Sequence, residues 1–128
     1  MTAKIIKRFN LRINSSTKNI KMEIVCSTDS KYIMPTGIML LSLFESNRGE
    51  VVNVHLLHDH DSAALLDSIR TIAARYQQNI HFYLINDDIF KHFPIGLDFQ
   101  VDHVGTSFAT YYRLYLTEIL PADIDKVI

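Results

Sequence analysis

From Met22 onward, apolar and polar positions come in blocks rather than one by one. "MEIVCS", "VVNVHLL" and "NIHFYLI" are short unbroken apolar runs rich in β-branched and aromatic residues, the pattern of strands buried on both faces. Between the first two, residues 31–46 carry "IMLLSLF", apolar nearly all round, which predicts a helix lying deep against a sheet. Between the second and third, residues 62–76 place Leu65, Ile69, Ile72, Ala73 and Tyr76 on one stripe at spacings of three and four. The punctuation agrees with these elements. Asp29 or Ser30 in "TDSKY" and Asp61 in "DHDS" are helix caps, and "NRGE" is a turn. "NDDIFKHFP" reads as a short helical turn stopped by Pro94, and residues 95–105 as a loop or short strand. "TSFATYYRLYLTEIL" is a final helix, capped by Thr106 or Ser107 and stopped by Pro121. "DKVI" then opens like one more strand at the last residues of the sequence.

The predicted order is β-α-β-α-β, an irregular insert, α, and the start of a β-strand. Alternation of this kind requires right-handed crossovers, giving an α/β fold with a parallel sheet and helices on both faces. Ligands of such sheets bind at the carboxyl ends of the strands, where strand order reverses. That rule selects "STDSKY", "HDHDS" and "INDD" as the mouth of a site.

Charge divides the chain in two. Residues 1–21 hold Lys4, Lys7, Arg8, Arg12, Lys18 and Lys21 and no acid, whereas residues 22–128 hold seven bases against fourteen acids. A basic N-terminal arm thus precedes an acidic body of one domain. The acidic body argues against nucleic-acid binding, which needs a basic face. The arm reads as a solvated or self-docking extension, with peripheral contact to anionic lipid as its alternative. The single cysteine, Cys26, excludes an internal disulfide and fits a cytoplasmic setting.

Four glycines provide no phosphate-cradling loop, so a bound nucleotide would need side chains and a metal instead. Asp29 follows the first strand, with Tyr32 beside it. A carboxylate can accept the imide N–H of a pyrimidine and a tyrosine ring can stack on its face; the plainer role is cap and packing. "HLLHDH" brings His55, His58 and His60 close in sequence, but the spacing matches no standard zinc site, and His55 is expected to face out of its strand. Cys26, in mid-strand, is a buried small hydrophobe rather than a nucleophile. Arg113 interrupts an aromatic helix. Burying a guanidinium unpaired is very costly, so a phosphate, a sugar or an internal carboxylate is its expected partner.

Three stretches together resemble the family 8 glycosyltransferases: "MEIVCSTDSKYIMPTGIMLLSLFESN", "VNVHLLHDHDS" and "TSFATYYRLYLTEILPADIDKVI". The last is the most specific, because family members show Ser/Thr, Tyr-Arg, an acidic Leu-Pro turn and Asp-Lys-Val-aliphatic in that order. The resemblance covers residues 22–128 and implies a Rossmann-like GT-A nucleotide-diphospho-sugar transferase fold. It implies a retaining hexosyltransferase that uses UDP-galactose or UDP-glucose and a glycan or lipopolysaccharide acceptor. By position, Ser27 and Asp29 would contact uridine, Tyr32 would stack on uracil, and Arg113 would reach the diphosphate or donor sugar with Thr110 near it. Lys31 stands where members often carry a small polar residue, and His103 lies at a longer spacing than their site histidine. In the family the aliphatic pair leads into Tyr-Leu-Asp-x-Asp, whose aspartates hold Mn2+ or Mg2+. Residues 1–128 stop before that motif, so this polypeptide is expected to hold no metal and to lack useful transferase activity.

Two rival readings differ in class. One is a non-catalytic binding or assembly module derived from a transferase, forming a homo-oligomer through an exposed sheet edge that "RFNLRIN" of the arm would augment. The other is a receiver-like doubly wound domain in which Asp29 accepts a phosphoryl group.

Overall fold

The computed structural model describes residues 21–59, 62–93 and 108–128. Residues 1–20, and expectations resting on Asp61, Pro94, His103, Thr106 and Ser107, lie outside the described residues. Lys21, counted with the basic arm by its charge, opens the first strand.

Strands β1 (Lys21–Thr28), β2 (Val51–His58) and β3 (Asn79–Leu84) form a parallel sheet in the order β1-β2-β3. Helix α1 (Ile33–Ser46) joins β1 to β2, and α2 (Ala63–Arg75) joins β2 to β3. Beyond β3 come a 3-10 helix η1 (Asp87–Phe90), a second one η2 (Phe108–Tyr115), and a single α-helical turn α3 (Leu116–Ile119). The central strand β2 is buried from Val52 to His58, whereas β1 is only partly covered along residues 22–26.

The strand expected at "DKVI" is not formed among the described residues, but Ile128 itself lies against the outer edge of β1. The Ile128 N–H donates to the Glu23 carbonyl at 2.9 Å, and the Ile128 carbonyl accepts from the Val25 N–H at 2.9 Å. This is the bonding of a parallel bridge. The sheet therefore grows from β1 toward β3 on one side and toward residue 128 on the other. Strand order reverses at β1. A receiver-like domain of the flavodoxin type places its first strand between the second and third; here β3 lies on the far edge of β2, which excludes that reading.

Strand alternation splits the core between the two faces of the sheet. On one, Ile24, Cys26, Val54, Leu56, Ile80 and Phe82 pack with Leu40 and Phe44 of α1 and Ile69 and Ala73 of α2. On the other, Val25, Leu57 and Tyr83 pack with Phe90, Ala109, Tyr112, Leu116 and Ile119. Helix α1 departs from the sequence expectation. It buries Ile33, Thr36, Gly37, Leu40 and Phe44 but leaves Met34, Ile38, Met39 and Leu41 exposed. An outer-layer helix has a sheet on one side only, so its apolar residues outnumber the positions that face the core. On α2, Leu66 is buried where Leu65 was expected.

The turn between α2 and β3 shows how backbone and side chains cooperate. Gln77 adopts φ 56, and the Gln77 and Gln78 N–H groups return to the carbonyls of Ala74 and Ala73 at 3.0 and 2.9 Å. Those bonds satisfy helix-terminal carbonyls in a Schellman motif. The Gln78 side chain then accepts from the Val52 N–H at 2.7 Å and donates to the Glu50 carbonyl at 2.9 Å, fastening the start of β2.

Candidate functional site

At the carboxyl end of β1 the chain turns sharply into α1. Asp29 Oδ1 accepts from the N–H groups of Lys31 at 2.9 Å and Tyr32 at 3.0 Å, so the carboxylate caps the turn that feeds the helix. Neither bond uses Oδ2. Thr36, one turn into α1, places Oγ1 2.8 Å from the Tyr32 carbonyl and 2.9 Å from Thr28 Oγ1. Thr28 Oγ1 in turn lies 3.1 Å from the Asp29 carbonyl. Two hydroxyls and one carboxylate thus fix the turn against both the strand before it and the helix after it. Asp29 is 7% exposed, while the neighbouring Tyr32 is 57% exposed, and Ser27 and Lys31 are also exposed. The sequence offered two roles for Asp29. Its bonds cap the turn before α1 rather than the helix itself, whose N-cap is Tyr32 without a side-chain bond, and Oδ2 takes no part in them.

The "TSFATYYRLYLTEIL" segment is mostly 3-10 rather than α-helical, which changes what faces where. In a 3-10 helix, residues three apart share one row. Ala109 and Tyr112 form the buried row, and Thr110 and Arg113 the exposed one. Of the partners expected for Arg113, the internal carboxylate is not seen: the residue is exposed, and among the described residues no carboxylate pairs with it. The period of three carries it outward by one residue from the Tyr112 that fills the core.

Tyr112 brings the strand ends together. Its ring is fully buried beside Phe90, at a centroid separation of 5.5 Å, and its hydroxyl donates to Asp87 Oδ1 at 2.5 Å. Burial first, then the Asp87 carboxylate, with smaller contributions from Asp59 and Asp29, push its hydroxyl well above the ordinary tyrosine range. Asp29, Asp59 and Asp87 follow β1, β2 and β3 respectively, so all three influence one neutral phenol at the carboxyl end of the sheet. The stretches "STDSKY" and "INDD" mark Thr28, Asp29 and Asp87 as part of this mouth in the sequence, but not Tyr112 or Thr36. The signal for Tyr112 was its period-three spacing from Ala109, hidden while the segment is read with an α-helical period.

Of the histidine run, His60 lies outside the described residues, and His55 and His58 do not meet. His55 and His58 are buried on opposite faces of β2, as an odd separation in a strand requires. His55, expected to face outward, is 2% exposed: its Nε2 lies 2.9 Å from Glu23 Oε2 and its Nδ1 2.9 Å from the Tyr83 hydroxyl. His58 meets Phe82 edge-on. Cys26 is partly buried, and burial pushes its thiol up to about 12, the behaviour of an inert core sulfur. Among the described residues no three histidine, cysteine or carboxylate side chains are grouped to hold a metal ion.

Comparison with known proteins adds two findings. A family model described as "Glycosyl transferase family 8" matches residues 23–128. The lipopolysaccharide glucosyltransferase WaaO of Escherichia coli (strain K12) is 28% identical over 81 residues, 61% of this chain. The chain spans 23% of the length of that relative.

Proposed function

The chain belongs to glycosyl transferase family 8, and from that premise we propose that residues 22–128 are the nucleotide-binding half of a GT-A domain. The whole enzyme would be a retaining hexosyltransferase, moving glucose or galactose from a UDP-sugar to a glycan acceptor of the lipopolysaccharide type. The observation that carries the reading is the position of Asp29. It stands at the carboxyl end of the strand where the sheet order reverses, held rigidly by two backbone amides, with exposed Tyr32 beside it.

In this reading Asp29 Oδ2 accepts the uracil imide N–H while Tyr32 and the Ser27 edge of β1 flank the base. The uracil ring covers the exposed face of Tyr32, a contact favoured by its apolar area and its offset stacking geometry. Lys31 and the exposed row of Thr110 and Arg113 supply the polar and positive groups for the diphosphate. As UDP departs, negative charge grows on the phosphate oxygens, and a fixed guanidinium on that side lowers the barrier electrostatically.

Among the described residues no three histidine, cysteine or carboxylate side chains are grouped to hold the divalent cation that family members use. No described helix is long and apolar enough to cross a membrane; the basic arm is the segment suited to peripheral contact with an anionic, cytoplasmic membrane surface.

Calorimetry of residues 1–128 with UDP, with and without manganese, tests the reading. We expect weak binding that Asp29→Ala reduces by about tenfold, the worth of a hydrogen bond to a charged group. Binding that is unchanged in a folded Asp29→Ala protein contradicts the assignment.

A further inference from the structure

Resting on that reading, we infer that Tyr112 and Asp87 form a positioning pair that sets the direction of Arg113. The 3-10 helix η2 carries a buried row, Ala109 and Tyr112, and an exposed row, Thr110 and Arg113. Rotation of η2 about its axis therefore decides where the guanidinium points. Aromatic packing around Phe90 is a weak guide to that rotation. Phe108, Tyr111, Tyr112 and Tyr115 all lie within 6.4 Å of its ring, centroid to centroid, so neighbouring rows of η2 present similar rings to the same partner. A hydrogen bond discriminates where ring packing does not. The Tyr112 hydroxyl donates to Asp87 Oδ1 and ties η2 to η1 at the end of β3.

The surroundings keep that tether in one protonation state. Asp87, Asp59 and Asp29 all disfavour loss of the phenolic proton, and burial adds to them. Tyr112 is thus a donor across the working pH range, and the carboxylate of Asp87 has a constant partner. Asp87 is itself anchored next to a capped turn, since the Asn86 side chain accepts from the Asp88 N–H at 2.9 Å. The path from strand β3 to the guanidinium is then short: Asn86 fixes the turn, Asp87 holds Tyr112, and Arg113 follows on the adjacent exposed row.

The test compares UDP affinity by calorimetry in the full 128-residue chain for the wild type, Tyr112→Phe, Asp87→Ala and Asp87→Asn, with thermal unfolding of each measured alongside. Tyr112→Phe keeps the ring and removes the donor; Asp87→Asn keeps an acceptor oxygen and removes the charge. We expect Tyr112→Phe and Asp87→Ala each to weaken binding by about tenfold, and their combination to be no worse than either alone. Asp87→Asn restores affinity to within about twofold of the wild type, because the phenol still finds its acceptor. A merely structural bond would instead make affinity follow thermal stability across all the variants, whereas a positioning bond lowers affinity in Tyr112→Phe and Asp87→Ala beyond what their stability loss accounts for. Wild-type-like affinity in Tyr112→Phe, or equal losses in Asp87→Asn and Asp87→Ala, overturns the positioning role while leaving the nucleotide site in place. A wild type that binds no UDP overturns the nucleotide site and this pair with it.

Discussion

His55 is tolerable in the core because both ring nitrogens have partners. Nε2 lies 2.9 Å from Glu23 Oε2 and Nδ1 2.9 Å from the Tyr83 hydroxyl, so every polar atom of the ring is within hydrogen-bond reach of a partner. Glu23 also accepts from Asn53 at 2.8 Å and meets Lys21 at 2.8 Å, and Asn79 completes the row by donating to Asn53 at 2.7 Å. Burial acts to raise the Glu23 carboxyl, but the hydrogen bonds from Lys21, His55 and Asn53 outweigh it and hold the group below its ordinary 4.5. A depressed carboxylate contributes stability that is complete above its unfolded value and is lost as pH falls through the folded one. Denaturant unfolding should therefore show the wild type losing stability below about pH 4.5 more steeply than Glu23→Gln, which at pH 7 is the weaker by about 1–3 kcal/mol. Parallel pH profiles for the two proteins would show that the network is not what anchors this face of the sheet. The alternation of β2 gave no hint of this burial, because a histidine in a strand reads as solvent-facing until its cross-strand partners are known.

The elements themselves were easier to read than the faces they present. Unbroken apolar runs located β1, β2 and β3, and the apolar stretches and turns between them located α1 and α2 within one or two residues. Which side of α1 is buried was illegible, since "IMLLSLF" is apolar on every side and only the neighbours in space decide. The structure makes that decision testable. Leu40 is fully buried between sheet and α2, and Leu40→Ala should cost about 2–5 kcal/mol; Ile38, 65% exposed, should accept Lys with a change of about 0.5 kcal/mol or less. A large loss for Ile38→Lys in urea unfolding would mean that α1 is rotated from its observed setting. The final segment failed for a different reason. Its α-helical pattern in sequence gave way to a 3-10 period, in which Ala109 and Tyr112, three apart, both enter the cluster around Phe90. That shift set Arg113 on an exposed row of η2, away from the buried row of Ala109 and Tyr112. It also moved the question about Arg113 from what neutralises it to what aims it.

For the molecule as a whole, topology supplies what no single residue does. The backbone bonds of Ile128 to Glu23 and Val25 put a neighbour on the second edge of β1, and with β2 on the first edge they make β1 the point where strand order reverses. The sequence showed that a strand was beginning at "DKVI", but not on which edge of the sheet it would lie. With that edge known, the turn holding Asp29 falls at the crevice where open α/β sheets bind their ligands. The exposed row of Thr110 and Arg113 belongs to η2, which packs on the sheet face that carries Val25 and Leu57 and ends in the Tyr112 contact to Asp87. Titration of isotope-labelled protein with UDP, followed by amide chemical shifts, examines both halves of this arrangement at once. Shift changes should concentrate in residues 27–32 and in residues 110–113, and leave the exposed face of α1 at Met34, Ile38 and Leu41 unmoved. Saturable shifts confined to other segments, with those two stretches silent, would contradict the placement of a nucleotide at the end of β1.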